Sequence, residues 1–273
     1  MLANHELEGI AQEMRAAREQ ARQIEPFTSR ISGFDLAAAY AVGGLIHRLR
    51  VEQGAKPVGR KIGFTNPEMW DRYGVRAPIW AHVYDSTVEY LGGAPACCRL
   101  GGFCEPKIEP EIVFRFRKAP RAGGTAAELL DSVEWVALGF EIVQSHFPGW
   151  RFQAPDTVAD DSLHARLLVG APQPVERLGS DVLVALESFS LELSCDGRLV
   201  ETGRGSNVLG SPLAAVAHLL SVLAAQPQAA PLAAGEVVTT GTVTAAQPVR
   251  AGQLWRAEVR GIALPGVAVA FSA

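Results

Sequence analysis

Cysteine is scarce in this chain of 273 residues: there are four, with Cys97 and Cys98 adjacent, Cys104 close by and Cys195 remote. That count, with no C-x-x-C spacing, excludes a disulfide-built scaffold and points to reduced thiols in a cytoplasmic protein. No H-x-x-H or H-E-x-x-H spacing accompanies His146 and His164, which disfavours zinc. Dinucleotide, P-loop and nucleophile-elbow motifs are missing as well. A formal charge of -4 offers no footprint for a phosphate backbone, so nucleic acid is not an expected partner. Long clean apolar runs are also lacking. Leu209 to Ala225 is interrupted by Ser211, Pro212, His218 and Ser221 and falls short of the roughly 18 residues a membrane span needs. The start, MLANHELEGI, has neither the basic flank nor the apolar core of an export signal, so a soluble cytoplasmic protein is expected.

What is present suffices for a core: 48% of residues are apolar and 20% charged, enough for one large or two modest domains. Leu7, Ile10, Met14, Ala17, Ala21 and Ile24 recur at helical spacing, with Asn4 as cap and Pro26 as stop. A second helix is predicted from Leu36 to Arg50, capped by Asp35. Beyond Gly54 the texture turns to strands: Val58 to Phe64, Ile79 to Tyr84, Ile108 to Phe116, Trp135 to Val143, Val182 to Leu193 and Trp255 to Val259. Short helices are expected at Ala126 to Leu130 and after Pro212, and a surface loop at Gln226 to Pro231. The pattern predicts an α+β protein. Residues 1–90 form a smaller, mainly helical region that contributes Lys61 and Asp85 to a pocket, and residues 91–273 form a β-rich catalytic domain.

The segment Lys107-Ile108-Glu109-Pro110-Glu111-Ile112 puts two acids at i and i+2, on one face of a strand. Two carboxylates so close repel unless a proton or a cation joins them. Glu141 sits alone in the apolar run Trp135 to Val143, where an unpaired acid is costly to bury. If those strands are adjacent, three carboxylates meet in a set suited to Mg²⁺ or Mn²⁺. The alternative pairs Glu109 or Glu111 with surface arginines and leaves Glu141 at a sheet edge. Lys61, one of only four lysines, lies in the glycine-rich run Gly59-Arg60-Lys61-Ile62-Gly63. It reads either as an ammonium beside a metal site or as a solvated strand lysine, and Arg60 is an equal candidate for the inward position. The polar stretch Asp156 to His164 brings Asp160 to the pocket or caps a short helix from Leu163. Gly241 and Thr242 offer N–H and O–H groups to a substrate carboxylate, or form an ordinary Thr-rich turn.

The segments G-R-K-I-G-F-T (59–65), P-I-W-A-H-V-Y-D (78–85), K-I-E-P-E-I (107–112), G-F-E-I-V (139–143), D-T-V-A-D (156–160) and G-R-G-S-N-V-L-G-S-P-L (203–213) occur in the order found in a known group. Together they resemble the 2-keto-4-pentenoate hydratase and 4-oxalocrotonate decarboxylase group of the fumarylacetoacetate hydrolase superfamily, across essentially the whole chain. The resemblance implies a mixed β-roll or β-sandwich core, homo-oligomers, Mg²⁺ or Mn²⁺ on Glu109, Glu111 and Glu141, and an active-site role for Lys61. It implies an acid near the pocket at Asp85 and a substrate-carboxylate contact at Thr242. Differences fall at Asp161, where the hydratases read V-A-D-N, at Gln144 to Trp150, and at His218 in place of a frequent Trp.

The expected chemistry is addition of water to a 2-hydroxy-2,4-dienoate such as 2-hydroxypenta-2,4-dienoate, giving a 4-hydroxy-2-oxo acid, with Lys61 assisting proton transfers. Loss of carbon dioxide from a 2-oxo-3-enedioate is the alternative, favoured if His146 or Arg151 lies at the pocket mouth. A third reading, hydrolysis of an acylpyruvate C–C bond, needs a His–Glu pair, and the one close His-x-x-Glu spacing, His5 to Glu8, lies in the first helix. A non-catalytic homologue with a degenerate pocket is the fourth.

Overall fold

The computed structural model describes residues 2–67, 70, 76–92 and 96–273. Three helices open the chain: α1 (Asn4–Glu19), α2 (Phe27–Arg30) and α3 (Leu36–Glu52). Asp35 caps α3 as its position demands, accepting a hydrogen bond from the Ala38 N–H at 2.9 Å. The first helix is shorter than its apolar spacing suggests. It ends at Glu19, Ala21 turns left-handed with a φ of 46°, and Ile24 packs from beyond the helix end. Ile10, Met14 and Ala17 of α1 meet Ala39, Val42 and Ile46 of α3 in a satellite core.

Fourteen strands come after the helices among the described residues. The first seven are β1 (Pro57–Gly63), β2 (Ile79–Tyr84), β3 (Val88–Tyr90), β4 (Ala96–Arg99), β5 (Lys107–Phe116), β6 (Val133–Val143) and β7 (His164–Val169). The others are β8 (Gln173–Pro174), β9 (Ser190–Cys195), β10 (Arg198–Arg204), β11 (Val237–Thr242), β12 (Gln247–Pro248), β13 (Leu254–Arg260) and β14 (Val267–Ser272). The larger sheet runs β2-β1-β11-β5-β6-β7-β3, and the smaller runs β10-β9-β13-β14-β4. The order of the larger sheet forces its shape. Its two edge strands, β2 and β3, are joined by the single 3-10 turn Asp85–Thr87, so the sheet must curl until its edges meet.

Period two then divides the side chains between the inside and the outside of the roll. Val113, Trp135, Ala137, Leu167, Val169 and Val237 fill the inside at one end. Ile108, Ile112, Phe114, Phe140, Leu168 and Val238 face outward into the main core. The helix Pro212–Ala225, capped by Ser211, covers that face with Leu213, Val216, Leu219, Leu220 and Leu223. By length and composition the stretch Gly205–Ala225 is apolar enough to cross a membrane, with a mean hydropathy of 1.9. Most of its leucines and valines, Val208, Leu213, Val216, Leu219, Leu220 and Leu223, are buried in the main core.

Two expectations change. The stretch expected as one strand from Val182 to Leu193 is a helix, Val182–Ser188, with β9 after it, because the Asp181 carboxylate accepts from the Val184 N–H and starts a helix. The helical part proper ends at Glu52, and β1 to β3 are woven into the larger sheet, so residues 57–63 and 79–90 share the architecture of the β-rich remainder of the chain.

Gly59 pairs with Val237, and a Cβ there would lie 2.0 Å from the Val237 carbonyl oxygen, a backbone atom that cannot step aside. Gly59→Ala is therefore expected to cost about 3 kcal/mol, read as a lower urea midpoint. An unchanged midpoint would show that β1 and β11 are not so closely paired.

Candidate active site

The register of β5 against β6 sets Glu109 directly opposite Glu141 and Glu111 opposite Gly139. One ligand oxygen from each of Glu109, Glu111 and Glu141 lies within 4.8 Å of the others. Glu111 and Glu141 are fully buried and Glu109 half-buried. Lys61 reaches the same spot from β1, two strands beyond β5, because the roll brings its inner faces together. Its Nζ lies 3.2 Å from Glu141 Oε2 and donates to the Ser162 carbonyl at 2.9 Å. Arg60, its neighbour, points to the outer face and pairs with Glu236 at 2.8 Å.

Each acid is held by a different device. Pro110 has no N–H to donate, and the ladder between β5 and β11 is irregular beside it, between Thr239 and Thr242. There Gly241, with a φ of 96°, turns its N–H onto Glu111 Oε2 at 2.7 Å, and the Thr239 hydroxyl donates to the same oxygen. A Cβ on Gly241 would lie 1.9 Å from Thr65 Oγ1, so glycine is required twice over. Glu141 Oε1 pairs with His164 Nδ1 at 2.7 Å, and His164 Nε2 meets the Thr87 hydroxyl at 2.9 Å. Thr87 belongs to the turn that closes the roll.

Charge does not balance within this group. Three carboxylates face one ammonium, a formal charge of -2 if all ionise. Burial and the neighbouring Glu141 push the Glu109 carboxyl up to about 7 against the pull of Lys61. Burial, then Glu141 and Glu109, hold Glu111 well above the usual carboxylate range. Burial also opposes ionisation of Glu141, but Lys61 and His164 outweigh it and keep that carboxyl low. Lys61 stays above the ordinary lysine value because the three acids outweigh its own burial. Glu111 Oε1 accepts no hydrogen bond, and Glu141 Oε2 has only the Lys61 ion pair. Buried carboxylate oxygens left this way suit a hard divalent cation, and the donor set fits Mg²⁺ or Mn²⁺.

Other expected site residues have different surroundings. Asp85 is exposed, and its carboxylate accepts from the Lys56 N–H at 3.2 Å. Asp160 is fully buried, but its carboxylate binds Arg18 at 2.6 Å and His146 at 2.9 Å rather than Lys61 or a glutamate. His146 is likewise fully buried against Asp160. The Gly241 N–H is engaged by Glu111, while the half-buried Thr242 hydroxyl accepts from the Thr244 N–H at 3.2 Å. His5 and Glu8 are exposed on α1. His164, Thr87, Ser162 and Thr239 enter the site without a spacing that announces them; the hint in the sequence was a histidine just after an acidic loop. A separate cavity of about 680 Å³ lies between α1, α3 and β2, lined by Tyr40, His47, Trp80 and His82; none of the three glutamates lines it.

A closed roll with three inward acids and an inward lysine defines an enzyme built around a hard divalent cation. The chain belongs to the fumarylacetoacetate hydrolase family: residues 82–266 match the family model described as Fumarylacetoacetate (FAA) hydrolase C-terminal. It is 31% identical over 257 residues to a 2-hydroxyhexa-2,4-dienoate hydratase of Comamonas testosteroni, covering 94% of each chain. It is 32% identical over 238 residues to a 4-oxalocrotonate decarboxylase of a Pseudomonas species, covering 86% of this chain and 88% of the relative. Among solved structures, a 4-oxalocrotonate decarboxylase from Pseudomonas putida G7 complexed with magnesium and adipate superposes with a TM-score of 0.89 at 27% identity, over 99% of both chains.

Mg²⁺ at about a hundredfold excess over its Kd is expected to stabilise the chain by about 2.7 kcal/mol, seen as a higher Tm. Glu109→Gln and Glu111→Gln are expected to lose most of that shift. Unaltered Mg²⁺ affinity in calorimetry would remove the substituted residue from the site.

Proposed function

We propose that this chain is a divalent-metal-dependent hydratase that converts a 2-hydroxy-2,4-dienoate into a 4-hydroxy-2-oxo acid. The observation that carries the reading is the Lys61 ammonium, buried and ion-paired with Glu141 among three clustered carboxylates, of which Glu111 keeps one buried oxygen with no hydrogen-bond partner. Similarity over nearly the whole chain to the dienoate hydratase of Comamonas testosteroni supports the substrate class.

Glu109, Glu111 and Glu141 are the residues that would hold the ion. When bound, Mg²⁺ supplies a Lewis acid that draws electron density onto the oxygen of a 2-oxo acid. Gly241 and Thr239 fix one oxygen of Glu111, and His164 fixes one of Glu141, so each acid turns its other oxygen toward the cluster. Lys61 has three N–H bonds, of which Ser162 and Glu141 engage two. The third is left to move a proton. In the first step the dienol O–H proton leaves and the terminal carbon gains one, giving the 2-oxo-3-enoate. In the second, water bonds through oxygen to C4 while C3 takes the proton. Lys61 assists both transfers. Thr242 remains the proposed contact for the substrate carboxylate. The substrate is a small molecule; a homo-oligomer in the cytoplasm completes the reading, and light scattering checks the assembly.

Decarboxylation of a 2-oxo-3-enedioate is the second reading, favoured by the whole-chain likeness to the decarboxylase of Pseudomonas putida G7. Following loss of dienol absorbance with and without Mg²⁺, then separating hydroxy acid from carbon dioxide, distinguishes the two. Absence of Mg²⁺-dependent turnover of either substrate class would overturn both. Lys61→Ala is expected to lower kcat at least about 100-fold while Mg²⁺ binds as tightly or better, since a positive charge beside the acids is gone. Retained kcat would sink the proton-transfer role.

A further inference from the structure

The backbone that presents its carbonyl to Lys61 is in an uncommon conformation. Asp161, Ser162 and Leu163 have φ values of 49°, 51° and 67°, three consecutive non-glycine residues in the left-handed region. Side chains beyond glycine are disfavoured there, and single residues rather than runs are the usual occurrence. Such a turn persists only where its surroundings over-determine it.

Those surroundings are two arginines from the N-terminal helices. Arg18 of α1 donates to Asp160 Oδ1 at 2.6 Å, to the Asp160 carbonyl at 3.2 Å and to the His164 carbonyl at 2.8 Å, bracketing the turn from both ends. Its Nε lies 3.4 Å from Asp161 Oδ2, and Arg50 of α3 reaches that same oxygen at 2.6 Å. His146 holds the other side of Asp160. Within the turn, the Leu163 N–H donates to the Asp160 carbonyl at 2.8 Å and the Ser162 hydroxyl to the Trp80 carbonyl at 3.0 Å. Burial opposes the charge on Asp161, yet Arg50 and Arg18 keep its carboxyl below the usual range.

The turn has two outputs into the site. The Ser162 carbonyl takes one N–H of Lys61, and His164, the next residue after the turn, takes one oxygen of Glu141. Were the turn to relax to right-handed values, the Ser162 carbonyl would swing and the ammonium would lose one of the two anchors that aim it. We propose that Arg18 and Arg50 are positioning residues: through Asp160 and Asp161 they hold the left-handed turn that aims the Lys61 ammonium at the reacting carbons. The inference rests on the catalytic reading of Lys61.

Arg18→Lys keeps the charge and removes the fork that spans Asp160 and His164. Arg50→Met removes a more exposed partner, 22% accessible, and is the variant to use if Arg18→Lys does not fold. In both, kcat is expected to fall, by about tenfold for Arg18→Lys, while KM and Mg²⁺ affinity stay within about twofold. The Gln144 amide, which donates to the Leu163 carbonyl at 2.9 Å, is expected to exchange its hydrogen faster than in the parent chain. Arg50→Lys should recover part of the loss in Arg50→Met. Full kcat with unchanged exchange at Gln144, or a kcat lost only in proportion to the unfolded fraction, overturns the proposal. If the parent chain turns over no dienol or enedioate, the catalytic reading fails by itself, and exchange at Gln144 still decides whether the arginines hold the turn.

Discussion

Three carboxylates inside a closed sheet, opposed by a single ammonium, set the terms for the rest of this protein. Buried acids at this spacing cannot all ionise unless positive charge is brought to them. Lys61 supplies one charge to Glu141 Oε2, and the buried Glu111 Oε1, which accepts no hydrogen bond, marks where a second, stronger one belongs. Neither strand of the β5–β6 pair makes this arrangement alone. The lysine arrives from β1 because the roll folds its own inner surface over the acids, and the turn that closes the roll carries Thr87, which steadies His164 and through it Glu141. Closure of the sheet and assembly of the site are therefore one event.

The cluster also explains a division along the roll. On β5 the inward positions read Glu109, Glu111, Val113, and on β6 they read Glu141, Gly139, Ala137. Small apolar side chains pack one end tightly, where Val113, Ala137, Leu167 and Val237 exclude water. The acids occupy the other end. A dry floor lowers the local dielectric beneath the charges, which strengthens both the repulsion among the acids and the attraction to any cation they hold.

How much of this could be read from the sequence depends on the range of the interactions involved. The i, i+2 acids of β5 and the lone acid of β6 were legible, because alternation fixes faces and an isolated buried acid requires a partner. The helix cap Asp35 was legible for the same local reason. What escaped depends on chain closure. Thr87 and His164 meet only because β2 and β3 sit at opposite edges of one sheet, and Ser162 meets Lys61 only through a backbone conformation that no residue preference suggests. Asp160 and His146, both polar and near the right motif, looked like pocket residues; the Asp160 carboxylate is engaged by Arg18 of α1 and by His146 Nδ1. The Thr-rich stretch was open to reading as a substrate contact or a turn; it ends β11, and at the irregular pairing beside Pro110 the Gly241 N–H goes to Glu111. Val182 to Ser188 read as a strand because β-branched and aliphatic residues dominate it, and one capping aspartate reverses that preference.

Arg60 and Lys61 show how the outer surface protects the inner chemistry. They are adjacent on β1, so a slip of one residue would send the guanidinium to the acids and the ammonium to the outside. A guanidinium would satisfy the charge, but it stays protonated across the accessible pH range and cannot relay a proton. The outer partners of Arg60 oppose that slip. Glu236 sits at the start of β11, beside Val237 and Val238, the residues that pair with Gly59 and Arg60, and the guanidinium also lies 5.5 Å from the centre of the Trp80 ring. Gly59 reinforces the register, because the close approach to Val237 tolerates no side chain and the next residue along, Arg60, cannot take its place. An ion pair on the outside of the roll and the missing methyl group of Gly59 thus select which of two basic residues faces the acids within.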